Sequence, residues 1–318
     1  MILTVTMNPS VDMAYTLNHL NLNDVNRVSK VNKTAGGKGL NVTRVISTMG
    51  QSVVATGMLG GRFGAYIKDH LDSDQIDNEF YMIKQESRNS IAILHDSGDQ
   101  TELLEQGPTI SENDQVTFKK FFKRMLCDYS LITMSGSLPQ GVASDFYAQL
   151  ITIGKQERCK VLLDSSGESL MDAITAPAKP MLIKPNEAEL QALVNQHIDV
   201  TNDSMLVKTL SKPIFSGIEW IVVSLGAKGA FAKHQDNFYR VRIPKIKVKN
   251  PVGSGDSTLA GLAMKLDDGA PAVDVLKNGM TMGLLNTMQE KTGCVDPDQY
   301  QKYYDMVEVN EVMASADN

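Results

Sequence analysis

The chain has 318 residues, 42% of them hydrophobic and 21% charged, with a net charge of -6 and a pI near 5.4. That balance argues against nucleic acid or a membrane surface as partner, since both call for an excess of basic charge, and no apolar run approaches the ~18 residues of a membrane span. The three cysteines, Cys127, Cys159 and Cys294, show no ligand-like spacing and read as reduced core residues of a cytoplasmic protein.

The opening MILTVTM is short, lacks a basic flank and runs into Asn8 and Pro9, so it reads as a first β-strand and not as a signal peptide. VDMAYTL at 11–17 then alternates apolar and polar residues, and VNRVSKV at 25–31 follows after a polar loop. VVATGML at 53–59 resumes an uninterrupted apolar pattern, and SIAILHDSGDQTELLEQG at 90–107 reads as a hairpin turning at DSGDQ. SLITMSGS at 130–137, KVLLDSSG at 160–167, PMLIKPNEAEL at 180–190 and EWIVVSLGAKG at 219–229 complete a series of apolar runs separated by helical patterns. Uninterrupted runs of this kind suit strands buried on both faces.

The pattern predicts an α/β fold in one domain spanning 1–318, with a central, mostly parallel sheet flanked by helices. A small antiparallel β lid is inserted at about 11–33 and 88–107. The polar strand tips at 135–137, 164–166, 184–186 and 224–229 are expected to converge on one cleft, because ligands of open parallel sheets bind beyond the carboxyl ends of the strands. The lid could close over that cleft or pair with a second copy.

Residues that could carry chemistry follow in the same order. Asp12, at the exit of the first strand, could hydrogen-bond sugar hydroxyls or cap a turn. Arg27 and Arg88, in or beside the lid strands, suit bidentate phosphate binding, although edge-strand arginines are commonly solvated. TAGGKGLNVTRV at 34–45 is not a nucleotide P-loop, because Gly39 and not Ser or Thr follows Lys38. A glycine loop presenting Lys38 and Asn41 at a helix start could hold a phosphate and hydroxyls, or be a plain helix-start turn.

Asp164 reads as a cap. In IKPNEAEL, Asn186 and Glu189 fit a capping box and equally face the same way toward a hydrated Mg²⁺, just beyond Lys184. The glycines of SLGAKG, Gly226 and Gly229, could admit a nucleotide phosphate or simply make a turn. The histidines at 19, 70, 95, 197 and 234 form no cluster and have no catalytic role.

NPVGSGDSTLAG at 250–261 is the most informative run. Backbone N–H groups at Gly253, Ser254 and Gly255 can point into one concavity at a helix N-terminus, which makes an anion site. Asp256 would repel that anion, so its useful role is to take a proton from a nucleophile attacking the bound group, as in phosphoryl transfer to an alcohol. A glycine turn with Asp256 as N-cap is the structural alternative.

GGKGLN, KPNEAEL, SLGAKGA and PVGSGDSTLAG stand in the order and spacing of the ribokinase-like, phosphofructokinase-B family of sugar kinases, which the chain resembles over essentially its whole length. NPSVD at 8–12, AGGKGLNVTRV and NPVGSGDS resemble the branch that acts on phosphosugars. The resemblance implies a ribokinase-like fold and ATP-dependent phosphorylation of the C1 hydroxyl of D-tagatose 6-phosphate in lactose or galactose breakdown. Transfer to C6 of fructose 1-phosphate is the alternative, and a non-catalytic sugar-phosphate sensor a more distant one.

The resemblance further implies Asp256 as general base and Gly253, Ser254 and Gly255 as the anion hole. It implies Lys184, Asn186 and Glu189 around the ATP phosphates and Mg²⁺, the metal falling to Asn186 and Glu189, with Ser224, Gly226 and Gly229 lining the nucleotide site. Asp12, Gly37, Lys38 and Asn41 would hold the sugar, with Lys38, Arg88 and Arg27 as candidates for its phosphate. A homodimer through the lid is implied too, in which Arg27 reaches the partner's site. Asn250 and Pro251 replace an Asp-Thr pair of many family members, so no role tied to that aspartate carries over.

Overall fold

The structure, a computed structural model, describes residues 1–96 and 98–313. Fourteen strands alternate with ten helices among these residues. In the N-terminal half they are β1 (Ile2–Thr6), β2 (Ser10–Thr16), β3 (Lys30–Gly36), α1 (Lys38–Thr48), β4 (Val53–Gly60), α2 (Gly61–Ser73), β5 (Tyr81–Ile83), β6 (Arg88–His95), β7 (Asp99–Leu104), α3 (Glu112–Met125), β8 (Leu131–Ser135) and α4 (Phe146–Gln156). There follow β9 (Lys160–Asp164), α5 (Gly167–Thr175), β10 (Leu182–Ile183), α6 (Glu187–Val194), α7 (Asp203–Leu210), β11 (Trp220–Ser224), β12 (Ala230–His234), β13 (Asn237–Arg242), α8 (Ser254–Asp267), α9 (Ala272–Thr287), α10 (Tyr300–Met306) and β14 (Glu308–Val312).

Ten strands form the large sheet in the order β14-β13-β12-β11-β10-β9-β8-β1-β4-β5. From β5 to β11 every pairing is parallel. Every residue of β1 and β8 is buried, as their unbroken apolar runs require. Alternate residues feed two cores: Leu3, Val5, Ile132 and Leu163 pack toward α3 to α7, whereas Ile2, Leu131, Leu162 and Trp220 pack toward α1, α8 and α9.

The antiparallel extension β12-β13-β14 was not expected from the sequence. Its strands mix apolar with charged residues, as in AFAKH and NFYRVR, and the hairpin turns through Gln235 at φ 53°, without the Gly or Asn-Gly signal such turns usually show. At the other extreme β10 has only two residues, because Pro185 ends its run so soon.

The small sheet has the order β3-β2-β6-β7. Its outer pairings are antiparallel, while β2 and β6 run parallel, as the long crossover through α1, β4 and α2 permits. The expected strand at 25–31 lies later, at 30–36. Residues 25–29 form a loop, and the ladder instead carries Thr34, Ala35 and Gly36 opposite Asp12, Val11 and Ser10. Gly36 is suited to this position because a Cβ there would lie 2.0 Å from the Asp12 carboxyl carbon. In the 90–107 hairpin, Asp99 and Gln100 already belong to β7, and Ser97 of the expected turn lies outside the described residues.

Val11, Met13 and Ala35 anchor this sheet on Leu59 and on Ile67 and Leu71 of α2, leaving its other face to wall a cleft. No described helix is long and apolar enough to cross a membrane.

Candidate active site

Two helix N-termini meet at the mouth of the large sheet. α1 starts behind Gly37 and α8 behind Gly253, whose φ of 80° is the left-handed conformation that favours glycine. A Cβ on Gly253 would also lie 2.4 Å from Thr292 Cγ2. The Asn286 side chain, fully buried, fixes this loop: Nδ2 donates to the Val252 carbonyl at 2.9 Å, and Oδ1 accepts from the Gly293 N–H at 2.8 Å. In the first turn of α8 the Ser254 N–H donates to the Pro251 carbonyl at 3.3 Å, whereas the N–H groups of Gly253, Gly255 and Asp256 have no backbone partner among the described residues. With the positive end of the helix dipole they present an anion-binding end.

Asp256 lies in that first turn, 6% exposed, and its Oδ2 accepts a 2.7 Å hydrogen bond from Nδ2 of Asn41 in α1. Burial, and then the nearby Asp164 carboxylate, push its pKa up to about 6, against the opposing effects of Asn41, Lys38 and Lys184. A carboxylate poised there can exchange a proton near neutrality, as a general base must. Capping is not its role: α8 has no side-chain cap.

The cleft floor carries Lys184 and Asp164, with Nζ 3.3 Å from Oδ2 and both buried. A Cβ on Gly255 would be 3.2 Å from Lys184 Nζ, so this ammonium reaches the backbone of the anion loop. Lys38, at the start of α1, has its pKa raised chiefly by Asp164 and further by Asp256 and Glu189, and stays cationic. The reading of Asp164 as a cap is therefore corrected. The next helix is preceded by Ser166 with no side-chain cap, and Asp164 turns into the cleft to meet Lys184.

Asn186 and Glu189 form a complete capping box on α6: Asn186 Oδ1 accepts from the Glu189 N–H and Glu189 Oε2 accepts from the Asn186 N–H, each at 2.9 Å. Both also line the cleft. No group of three or more His, Cys, Asp or Glu that could hold a metal exists among the described residues. With Asp164 and Glu189 as the nearby carboxylates, the donor set fits a hydrated Mg²⁺, which takes one or two carboxylates and otherwise water and substrate phosphate.

Ser224, Gly226 and Gly229 line the next part of the cleft beyond β11, where the Ser224 N–H donates to Pro185 O at 3.0 Å and ties the β10 and β11 tips together. Further along, Ile243, Ile246, Val252, Met280 and Leu284 add an apolar stretch to the cleft lining, which no local sequence pattern revealed. The strand tip at 135–137 stays outside the lining, although Gly136 stands beside the Lys38 side chain.

On the lid side, Gly37, Lys38, Asn41, Asp12 and Arg88 line the same cleft, which encloses about 1890 Å³. Ser10 Oγ donates to Asp12 Oδ1 at 2.6 Å; burial raises the Asp12 pKa, opposed by this hydrogen bond and by Arg44 and Arg88. Arg88 is held by Asn8 O (3.1 Å) and Glu105 O (3.2 Å). Arg27 is not brought to the cleft of its own chain: it is exposed in the loop between β2 and β3, because β3 begins only at Lys30.

Sequence reasoning missed Arg44, which lines the cleft and donates to Asn41 Oδ1; its i, i+3 spacing from Asn41 on α1 was the available signal. Two further expectations are corrected. Only Cys159 is a core residue, with Cys127 exposed and Cys294 at the cleft wall. His19 and His95 do converge, both bonding to Asp96 at the lid tip, a contact set by pairing of distant segments.

Residues 5–298 match the profile of the pfkB family carbohydrate kinases. A tagatose-6-phosphate kinase of Staphylococcus epidermidis is 49% identical over 313 residues, covering 98% of this chain and 100% of that protein. Crystal structures of Escherichia coli phosphofructokinase-2 superpose with TM-scores of 0.86, for the complex with fructose-6-phosphate, and 0.87, for a tetrameric inhibited form. Both are 28% identical to this chain and cover 96% of it and 98% of their own.

Proposed function

The chain belongs to the pfkB family of carbohydrate kinases, and from that premise we propose that it transfers the γ-phosphoryl group of ATP to the C1 hydroxyl of D-tagatose 6-phosphate, giving the 1,6-bisphosphate. The observation that carries the chemistry is Asp256: a buried carboxylate beside the anion-binding end of α8, with a pKa of about 6. The full-length likeness to a tagatose-6-phosphate kinase supports the substrate and disfavours fructose 1-phosphate.

Asp256 accepts the proton of the C1 hydroxyl as its oxygen bonds to the γ-phosphorus and the bond from that phosphorus to the β,γ-bridging oxygen breaks, releasing ADP. Gly253, Ser254 and Gly255 form the anion hole around the transferring group, with the Gly253 and Gly255 N–H groups as free donors. The Ser254 N–H, which donates to Pro251 O, is released to the phosphoryl only by a small shift of the loop. Lys184 reaches the same loop and meets charge on the nucleotide phosphates. Asp12, Gly37, Lys38 and Asn41 hold the sugar, and Arg88 takes the 6-phosphate at the far end. Ser224, Gly226 and Gly229 flank the nucleotide, whose base would lie along the apolar stretch of the lining. Asp164, Asn186 and Glu189 would hold Mg²⁺, Asn186 and Glu189 chiefly through water since their side chains already complete the cap. When bound, Mg²⁺ neutralises charge on the β- and γ-phosphates.

The lid sheet serves as both cover and homodimer interface. Its exposed Val31, Leu94, Leu103 and Leu104 support this reading, and Arg27, away from its own cleft, would act on a partner's phosphosugar. The protein works in the cytoplasm. Light scattering giving the mass of a single chain at micromolar concentration counts against the dimer.

The decisive experiment compares kcat/KM for ADP release with Mg·ATP and tagatose 6-phosphate, fructose 6-phosphate or fructose 1-phosphate. Preference for the 6-phosphates, tagatose first, is the expected result. Preference for fructose 1-phosphate overturns the substrate, and no turnover with any of the three overturns the kinase in favour of a sensor.

A further inference from the structure

The Asn41 amide is fixed from both ends. Its Nδ2 donates to Asp256 Oδ2 at 2.7 Å, and its Oδ1 accepts from a terminal nitrogen of Arg44, one turn later on α1. The second terminal nitrogen of the guanidinium donates to the carbonyl of Ala35 in β3. A guanidinium can only donate, so it accepts no orientation of the amide except the one with the oxygen toward itself. The NH₂ group is thereby turned to the carboxylate. With the amide reversed, Asn41 Oδ1 would face Asp256 Oδ2, two acceptors without a proton between them.

We propose that Arg44 is a positioning residue for phosphoryl transfer: by fixing the Asn41 amide it orients the Asp256 carboxylate, and through Ala35 it ties that orientation to lid strand β3. The proposal rests on the reading of Asp256 as general base. Arg44 is well placed for it electrostatically too. Burial works against its charge and lowers its pKa, and the nearby Asp12, Asp74 and Asp256 carboxylates oppose that effect in part. One side chain thus connects the carboxylate expected to grip the sugar with the one expected to deprotonate it.

The test is steady-state ADP formation with Mg·ATP and tagatose 6-phosphate for the wild type, Arg44→Met, Arg44→Lys, Asn41→Ala and the Asn41→Ala/Arg44→Met double variant. Solvent exchange of the Asn41 side-chain amide is followed in parallel by ¹⁵N NMR on the same proteins without substrate, the signal being assigned by its loss in Asn41→Ala. A hydrogen bond to a charged group sets the expected scale, and kcat should fall about 10- to 100-fold in Arg44→Met with both KM values within about threefold of wild type. Arg44→Lys, which restores a cationic donor, should recover most of the loss, and the double variant should turn over no more slowly than Asn41→Ala. The Asn41 amide should exchange faster in Arg44→Met.

A rise in sugar KM at unchanged kcat would make Arg44 a substrate ligand and overturn the proposal, as would a kcat loss that adds in full to that of Asn41→Ala. If the wild type turns over none of the phosphosugars, the kinase reading fails separately, and the amide exchange alone decides: unchanged protection in Arg44→Met refutes the positioning role. Should Arg44→Met not fold, Arg44→Gln, which keeps a neutral donor, takes its place with the same readouts.

Discussion

Lys184 Nζ lies 3.3 Å from Asp164 Oδ2, with the two side chains 5% and 3% exposed. This pair joins the tips of β9 and β10 directly beneath the anion loop, and Asp164 acts on its neighbours in both directions, raising the pKa of Asp256 and of Lys38.

Removing one partner of a buried pair leaves the other charge desolvated and alone, at a cost of about 3 kcal/mol or more. Asp164→Ala should therefore unfold at clearly lower urea concentration than wild type at pH 7. An unchanged midpoint would mean that solvent in the cleft already satisfies Lys184.

The catalytic base must be ionised, and its pKa is raised to about 6. kcat/KM should be level at pH 8 and fall as pH drops through about 6, each further unit costing about tenfold. Substrate phosphates titrate in the same range. The residual activity of Asp256→Asn serves as the control, since it keeps the substrate ionisations and should lack the enzyme's own limb.

Asp256→Asn should lower turnover about 10²- to 10⁴-fold, as for a lost general base, while nucleotide binding by calorimetry stays close to wild type. Its stability should change in the opposite sense. The folded state holds the Asp256 proton more tightly than the unfolded chain does, a contribution fully present below the ordinary value of 3.8 and lost as pH rises through about 6. The ionised wild type thus carries a penalty on the order of 2–3 kcal/mol above that window. The variant escapes it, so its stability relative to wild type in urea should improve from pH 4 to pH 8. A constant difference would show that the Asp256 pKa is not raised by folding.

Gly253→Ala combines a left-handed φ of 80° with a Cβ placed 2.4 Å from Thr292 Cγ2. The conformational part alone costs about 1–2 kcal/mol, and the clash shifts the loop that aims the first-turn amides. Displacing such donors typically lowers kcat about 10²- to 10³-fold. Wild-type kcat in this variant would refute the anion-hole assignment.

Much of the architecture was legible because its signals are local. Unbroken apolar runs such as LITM and VLLD, short and separated by helical patterns, suited strands buried on both faces, and the glycines before Asp256 marked a helix start with free amides. The capping box on α6 was equally visible, being a contact between residues three apart. Strands β12 to β14 at one end of the sheet were not, since Lys233, Arg240, Arg242, Glu308 and Glu311 interrupt their apolar residues and blur the pattern.

The site itself depended on chain pairing that no window of sequence contains. Asp164 looked like a cap until β10 brought Lys184 beside it, and only the register of β2 with β3 showed that Arg27 stands in a loop away from its own chain's cleft. Asn41 and Asp256, 215 positions apart, meet only because the N-termini of α1 and α8 converge on the same end of the sheet. Sequence alone determined the residue types and their local geometry, which follow from backbone sterics and apolar periodicity. Tertiary structure decided which charges face one another, because desolvation and Coulomb energies depend on distances that only packing fixes.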